Sequence, residues 1–187
     1  MKSCTDSLTS IISLSFETAT FPDIWKIARV TPIYKSGDKK LLLNYRPISV
    51  LPVISKNCER HVLFSFLSWL QKFRLLIANQ SAYLKNHSCV TALIDIIDTL
   101  LLNIDRGDIN GLLMIDLSKA FDLINQNLLL KKLEIYGLTE SRLGWFKLYL
   151  SMRKQAVAVN GTASEFLDIS RGVPQGSILG PLVDVRR

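Results

Sequence analysis

The chain has 187 residues, 48% hydrophobic and 21% charged, with 23 Lys and Arg against 16 Asp and Glu for a formal net charge of +7. That length and balance fit one domain, with room for a second lobe, and exclude a disordered or fibrous chain. No stretch reaches the roughly 18 uncharged apolar residues of a membrane span. The N-terminus MKSCTDSLTS lacks the compact apolar run of a secretory leader, and Cys4, Cys58 and Cys89 are too scattered for a disulfide framework or a zinc site. An intracellular protein, cytoplasmic or nuclear and not secreted, is the expectation.

In chain order, Leu8, Ile11, Ile12, Phe16 and Ala19 recur at helical spacing, with Ser3, Asp6 or Ser7 as N-cap and Phe21-Pro22 as the stop. Residues 27–35 read as a short extended segment interrupted by Pro32, hence an edge or a bend. The basic turn SGDKK follows. Pro52 opens a second helix that carries Ile54, Cys58, Val62, Phe66 and Leu70 on one face. Ser88 caps a third, with Ala92, Leu93, Ile96, Ile97, Leu100, Leu101 and Ile104 as a buried stripe, Asp95 and Asp98 on its polar side, and Gly107 as its stop. The apolar run GLLMID, 111–116, is strand-like in length and flanking. Helices at about 126–136 and 139–152 come next, the latter capped by Thr139. Alternation around Asn160-Gly161 then signals a hairpin, and that reading outweighs the glycosylation sequon formed with Thr162. The pattern is α+β: helix-rich, with a small antiparallel sheet built from 111–116 and the hairpin.

Four places in the chain have side chains suited to chemistry. Lys26, Arg29, Lys35, Lys39, Lys40 and Arg46 crowd a stretch whose only acid is Asp38. Such a run is either a solvated face or a contact for phosphate-rich polyanions. Asp116 ends the GLLMID run, where an acid holds a hard cation against a phosphate, or else it caps the following turn together with Ser118. RGVPQGS is a glycine-bearing turn whose N–H groups and Gln175 suit phosphates, although its spacing matches no standard phosphate loop and an ordinary loop is the alternative. Arg46 beside Pro47 suits bidentate phosphate contact or a surface ion pair. His87 next to Ser88 is better read as a helix-entry residue than as a base beside a nucleophile.

FPDIWKIARVTPIYKSGD, YRPISVLPVISK, QSAYLKNHS, LLMIDLSKAFD, YLSMRKQAVAVNG and GVPQGSILGP stand in one order along about residues 8–182. In that order they closely resemble the reverse transcriptase domain of non-LTR, LINE-like (Jockey- or CR1-type) retrotransposons. The resemblance implies a right-hand polymerase fold, with fingers and the fingers–palm junction in residues 1–108, a partial palm in 109–182 and a divergent tail in 183–187. It implies copying of an RNA template from a DNA primer with deoxynucleoside triphosphates and Mg2+, and it points to no specific protein partner. By resemblance Asp116 is the first metal-binding aspartate and the Leu117 backbone helps ligate the second ion. Phe121 lies under the incoming sugar, Lys35 and Arg46 hold the triphosphate, and Gln175 lines the nucleotide pocket. Two cations roughly 3.5–4 Å apart would activate the attacking oxygen and steady the leaving group, with cationic side chains stabilising the phosphates.

The sequence departs from that family in three ways. The Tyr-Ala-Asp-Asp hairpin expected beyond GVPQGSILGPL does not occur, and no Asp-Asp pair stands anywhere in the 187 residues. VDVRR is polar and basic where an apolar, aromatic continuation is expected. Ala82-Tyr83-Leu84 replace the usual Gly-Phe-Arg, removing a basic template contact. Asp122 lies too near Asp116 in sequence to stand in for the missing pair. The expectation is a reverse transcriptase fragment that is inactive by itself, with a non-catalytic nucleic-acid-binding remnant or an inert translated fragment as the alternatives.

Overall fold

Helix α1 spans Cys4–Glu17 and leads through a turn into Phe21 and a short 3-10 segment at Asp23–Lys26; the computed structural model describes residues 4–76, 79–117 and 119–180. Ser3, one of the caps expected for α1, lies outside them. Strand β1 is Ile27–Tyr34 and β2 is Tyr45–Val50. Helix α2, Val53–Lys72, starts directly after Pro52, whose ring-fixed φ (−54°) suits a helix entry. Helix α3 is Cys89–Asp105, α4 is Gln126–Ile135 and α5 is Glu140–Leu150. Strands β3 (Arg153–Val159), β4 (Thr162–Ala163) and β5 (Leu167–Ile169) close the order. Asn160 and Gly161, at φ of 50° and 82°, form the expected hairpin turn between β3 and β4.

Among the described residues the strands form one five-stranded sheet in the order β2-β1-β3-β4, with β5 also on β3. The sheet is mixed, not antiparallel as expected. β1 runs antiparallel to β2 from Arg29↔Val50 to Tyr34↔Tyr45, but parallel to β3 from Ile27↔Lys154 to Val30↔Val157. A parallel pair requires a long crossover, and α2 to α5 supply it. β1 is therefore a central strand over its first half. Pro32 sits beyond the last pair with β3, opposite Pro47 of β2, where its missing N–H costs no bond to β3.

The core lies between the helices and reaches into the last described turn. Trp145 and Tyr149 stack at 5.6 Å, and Phe21 meets both of them and Trp25 edge-on at 5.2–5.4 Å. Cys58, Phe66 and Leu70 of α2, Leu129 and Leu133 of α4, and Val173 and Leu179 join this cluster. Burying a side chain such as Leu70 stabilises the fold by about 2 kcal/mol. No described helix is long and apolar enough to cross a membrane.

Two expectations fail together. α3 has the expected capping box, with the Ser88 hydroxyl accepting from Thr91 N and the Thr91 hydroxyl engaging the Ser88 backbone, and Gly107 follows at φ 81°. Yet no α3 residue is buried, and the predicted stripe is open, with Leu93, Ile97, Leu101 and Ile104 at least half exposed. The helix is encoded locally, so it forms, but its apolar face finds nothing to pack on among the described residues. The GLLMID run forms no strand either. Leu113, Met114 and Ile115 are 84%, 81% and 77% exposed, and 111–117 pairs with no described strand. A strand needs a partner for its N–H and C=O groups, and hydrophobic patterning alone does not supply one. Just before it, Asn110 is tied to α3 through Asn103 Nδ2 and the Leu100 carbonyl.

Candidate functional site

The β1–β2 hairpin positions the basic residues. Its turn is braced by Asn44 Nδ2 on the Asp38 carbonyl at 2.7 Å, the Tyr45 hydroxyl on the Lys39 carbonyl at 2.8 Å and the Tyr34 hydroxyl on the Gly37 carbonyl at 2.6 Å. Lys39 Nζ lies 5.6 Å from the Tyr34 ring centre. Arg29 and Arg46 emerge on the outward face of the hairpin, Arg46 opposite Ile33. Lys35, whose N–H donates to the Asn44 carbonyl, is exposed at the end of β1. Neither Arg46 nor Lys35 forms an ion pair among the described residues, so the surface ion pair weighed for Arg46 is not what the structure shows. Lys26 does not belong to this patch. It is buried at 1% exposure, and its Nζ meets exposed Asp23 at 2.8 Å. The hydrogen bond from Lys26 and its charge hold the Asp23 carboxyl below the usual carboxylate range.

The turn 172–180 is the best-anchored irregular segment of the site. Gly172 N donates to Ile124 O and Val173 N to Phe121 O, both at 2.9 Å, while Gln126 Nε2 donates to Gly172 O at 3.0 Å. Farther on, Ser49 N of β2 donates to Gln175 O at 2.6 Å. Ser177 N donates to Pro174 O, Gly180 N to Ser177 Oγ, and Ile178 N and Leu179 N to the Glu59 carboxylate. Six N–H groups of the turn thus have protein acceptors. Within RGVPQGS itself the N–H groups of Gly172, Val173 and Ser177 are therefore not open for a phosphate, because a buried N–H left unpaired is costly and neighbouring segments satisfy it. Both internal glycines are required. A Cβ on Gly172 (φ 78°) would lie 2.7 Å from Phe121 O, and one on Gly176 (φ 113°) would lie 2.6 Å from Ser49 O.

This web brings three of the expected residues into one connected unit. Phe121 is half-buried against the core, Gln175 is half-buried in the turn, and Arg46 stands on β2 three residues before Ser49, about 10 Å along the strand. Lys35 joins through the hairpin. Asp116 and Leu117 stand apart, exposed in the irregular segment before a turn in which Asp122 N and Leu123 N donate to Lys119 O. The Asp116 side chain makes neither a capping bond nor an ion pair among the described residues, and Ser118 lies outside them. His87 binds the Lys85 carbonyl at 3.1 Å, while Ser88 is committed to its cap. Thr139 occupies the N-cap position of α5, but its hydroxyl makes no capping bond.

The donor set does not suit a pair of magnesium ions. Among the described residues no three His, Cys, Asp or Glu side chains converge on a point, and Asp116 offers one exposed carboxylate. Magnesium held by protein takes one or two carboxylates plus substrate phosphates in octahedral geometry. A separate cavity of about 520 Å³, lined by Phe16, His61, Trp69, Arg142 and Trp145 among others, contains none of the expected site residues.

Sequence reading missed Glu59, Tyr149 and Arg153. Glu59 is fully buried in α2, and the Tyr149 hydroxyl and both terminal nitrogens of Arg153 are buried with no hydrogen bond of normal geometry among the described residues. The Arg153 guanidinium lies 4.4 Å from the Tyr149 ring centre and donates through Nε to Tyr149 O at 2.7 Å. A signal for Glu59 was present: it lies four residues after Ser55 and three before Val62, on the same side of α2 as the apolar stripe.

Residues 33–186 match the family described as reverse transcriptase (RNA-dependent DNA polymerase). The chain is 32% identical over 164 residues to the probable RNA-directed DNA polymerase from transposon X-element of Drosophila melanogaster, covering 87% of this chain and 18% of that protein. It is 31% identical over 170 residues to the probable RNA-directed DNA polymerase from transposon BS of the same species, with the same coverage. To the RNA-directed DNA polymerase from mobile element jockey of Drosophila funebris it is 30% identical over 162 residues, 86% of this chain and 18% of that protein. The chain thus spans less than a fifth of the length of these relatives.

Proposed function

Because the chain belongs to the reverse transcriptase (RNA-dependent DNA polymerase) family, we propose that it forms the fingers and first palm elements of a retrotransposon RNA-directed DNA polymerase. Residues 1–108 are the fingers and their junction, and 109–182 are palm. Lys35 and Arg46 contact the triphosphate, Phe121 lies under the sugar of the incoming deoxynucleotide, and Gln175 lines the nucleotide pocket on its template side. Asp116 and the Leu117 backbone form one side of the metal-binding position. The observation that carries this reading is the pair of bonds Val173 N to Phe121 O and Ser49 N to Gln175 O. They link the residue assigned to the sugar, the residue assigned to the pocket lining and the strand that bears a phosphate-binding cation.

These 187 residues do not synthesise DNA by themselves, since one aspartate cannot hold the two magnesium ions that nucleotidyl transfer uses. They bind RNA or single-stranded DNA weakly and without sequence preference through the exposed cations of the hairpin. Two assays test this. Primer extension on poly(rA)/oligo(dT) with magnesium or manganese is expected to give no product above a mock preparation, and product abolished by Asp116→Ala would overturn the inactivity. RNA affinity is expected to fall steeply with salt through counterion release. Replacing Lys35, Lys39, Lys40 and Arg46 by Ala lowers that log–log slope by about 3 for four phosphate contacts. An unchanged slope would reduce the patch to a solvated face and leave the family assignment intact.

A further inference from the structure

Three segments hold the turn 172–180, and one of them ends in a buried charge. Phe121 and Ile124 hold its start, Ser49 holds Gln175, and Glu59 holds its far end. Glu59 Oε2 accepts from Ile178 N at 2.7 Å and Leu179 N at 3.2 Å, while Oε1 accepts from Ser55 Oγ at 3.1 Å, one helical turn earlier on α2. A carboxylate with 0% exposure persists only where donors replace its water, and here two backbone N–H groups and one hydroxyl do so. Burial first, and then Glu59, push the Cys58 thiol up to about 12, and the same two causes raise the Tyr149 phenol. No cation lies within ion-pair distance of Glu59 among the described residues, and two N–H groups of the turn compensate it together with the Ser55 hydroxyl.

We infer that Glu59 is a positioning residue for Gln175: by fixing Ile178 and Leu179 it sets where the turn passes Ser49, and so how Gln175 stands relative to Phe121. Gly176 passes close against Ser49, where an added Cβ would lie 2.6 Å from the Ser49 carbonyl oxygen, so the passage has little room to adjust. A shift at 178–179 is therefore transmitted to the Ser49–Gln175 bond rather than absorbed between them. The inference rests on the proposed role of Gln175 in the nucleotide pocket.

The test compares the full chain with Glu59→Leu, which keeps bulk and removes the acceptors, and Glu59→Gln, which keeps one acceptor oxygen. Amide exchange is read at Ser49, Ile178 and Leu179, with Leu129 and Leu133 of α4 as fold controls. A photoreactive 8-azido-dATP is cross-linked, and its yield on 172–180 is compared with RNA affinity. In Glu59→Leu, exchange at all three amides is expected to rise about 10- to 100-fold, the cost of losing charge-assisted bonds. Cross-linking should fall about tenfold by the same loss while RNA affinity holds, and Glu59→Gln should restore most of both. Faster exchange at Ile178 and Leu179 with unchanged Ser49 exchange and cross-linking would overturn the inference. Should Glu59→Leu expose α4 as well, Ser55→Ala decides: weaker cross-linking with α4 protected supports it, and unchanged cross-linking overturns it. Absence of cross-linking to the wild-type turn would refute the nucleotide role of Gln175, while Ser49 exchange would still decide whether Glu59 positions the turn.

Discussion

The turn 172–180 and the segment 109–117 both contain strong sequence motifs, and their physical states are opposite. In the turn, six N–H groups have protein acceptors, and Val173 and Leu179 are core residues. In the segment, Ile109 is fully exposed and Leu112 to Ile115 are mostly so. Composition does not separate them, for the segment is the more apolar of the two. The difference lies in partners. The turn is met by α2, β2 and residues 121–126, whereas the segment meets no strand among the described residues. A motif encodes chemistry, but its geometry depends on what is packed against it.

Core truncation should split the two regions most widely. Leu70→Ala, at a site with no exposure, is expected to cost 2–5 kcal/mol in denaturant unfolding, whereas Leu113→Ala should stay within about 0.5 kcal/mol. Equal costs would mean that the segment packs in solution. Backbone substitution sharpens the contrast. Gly172→Ala should cost about 3 kcal/mol, because its Cβ meets backbone atoms of Phe121 and Asp122 at 2.7–2.8 Å. Gly107→Ala, with the same sign of φ and nothing within 4 Å of its Cβ, should cost about 1 kcal/mol. A smaller effect is expected on α3. Leu101→Gln with Ile104→Lys should change stability by less than about 1 kcal/mol while raising solubility, and a large loss would show that this face is covered.

A pH effect comes from Cys58. Its thiol pKa lies near 12 in the folded chain, against about 8.5 for a free thiol. The folded state therefore keeps the proton that the unfolded state releases. Stability from this group is fully present below about pH 8.5 and is lost as pH rises toward 12. Cys58→Ala should flatten the alkaline limb of the stability profile. At neutral pH a maleimide should label exposed Cys4 and Cys89 and spare Cys58.

Local signals in the sequence carried far. The Ser88 cap, the Pro52 helix start, the Asn160-Gly161 hairpin and the Cys58–Phe66–Leu70 face are all as the residues imply, because each depends on neighbours within a few positions. The long-range features were not legible. That β3 returns parallel to β1 depends on a crossover through four helices, and the burial of Lys26 depends on a turn packed against the core. The stripe of α3 and the GLLMID run show the limit most directly: periodicity states which face can be buried, not whether anything covers it. Of the expected site, Phe121, Gln175 and the hairpin cations form a connected group, and Asp116 does not join it. Glu59 went unread because a glutamate on a helix is ordinarily exposed.

Amide hydrogen exchange on a monomeric sample, read in the peptides covering 109–117, 89–105 and 172–180, tests the contrast most directly. The expected order is slowest exchange in 172–180, intermediate exchange in α3, and rates in 109–117 close to those of an unstructured peptide. Protection of 111–116 equal to that of 172–180 would contradict it, showing that this segment is paired and packed without any further strand.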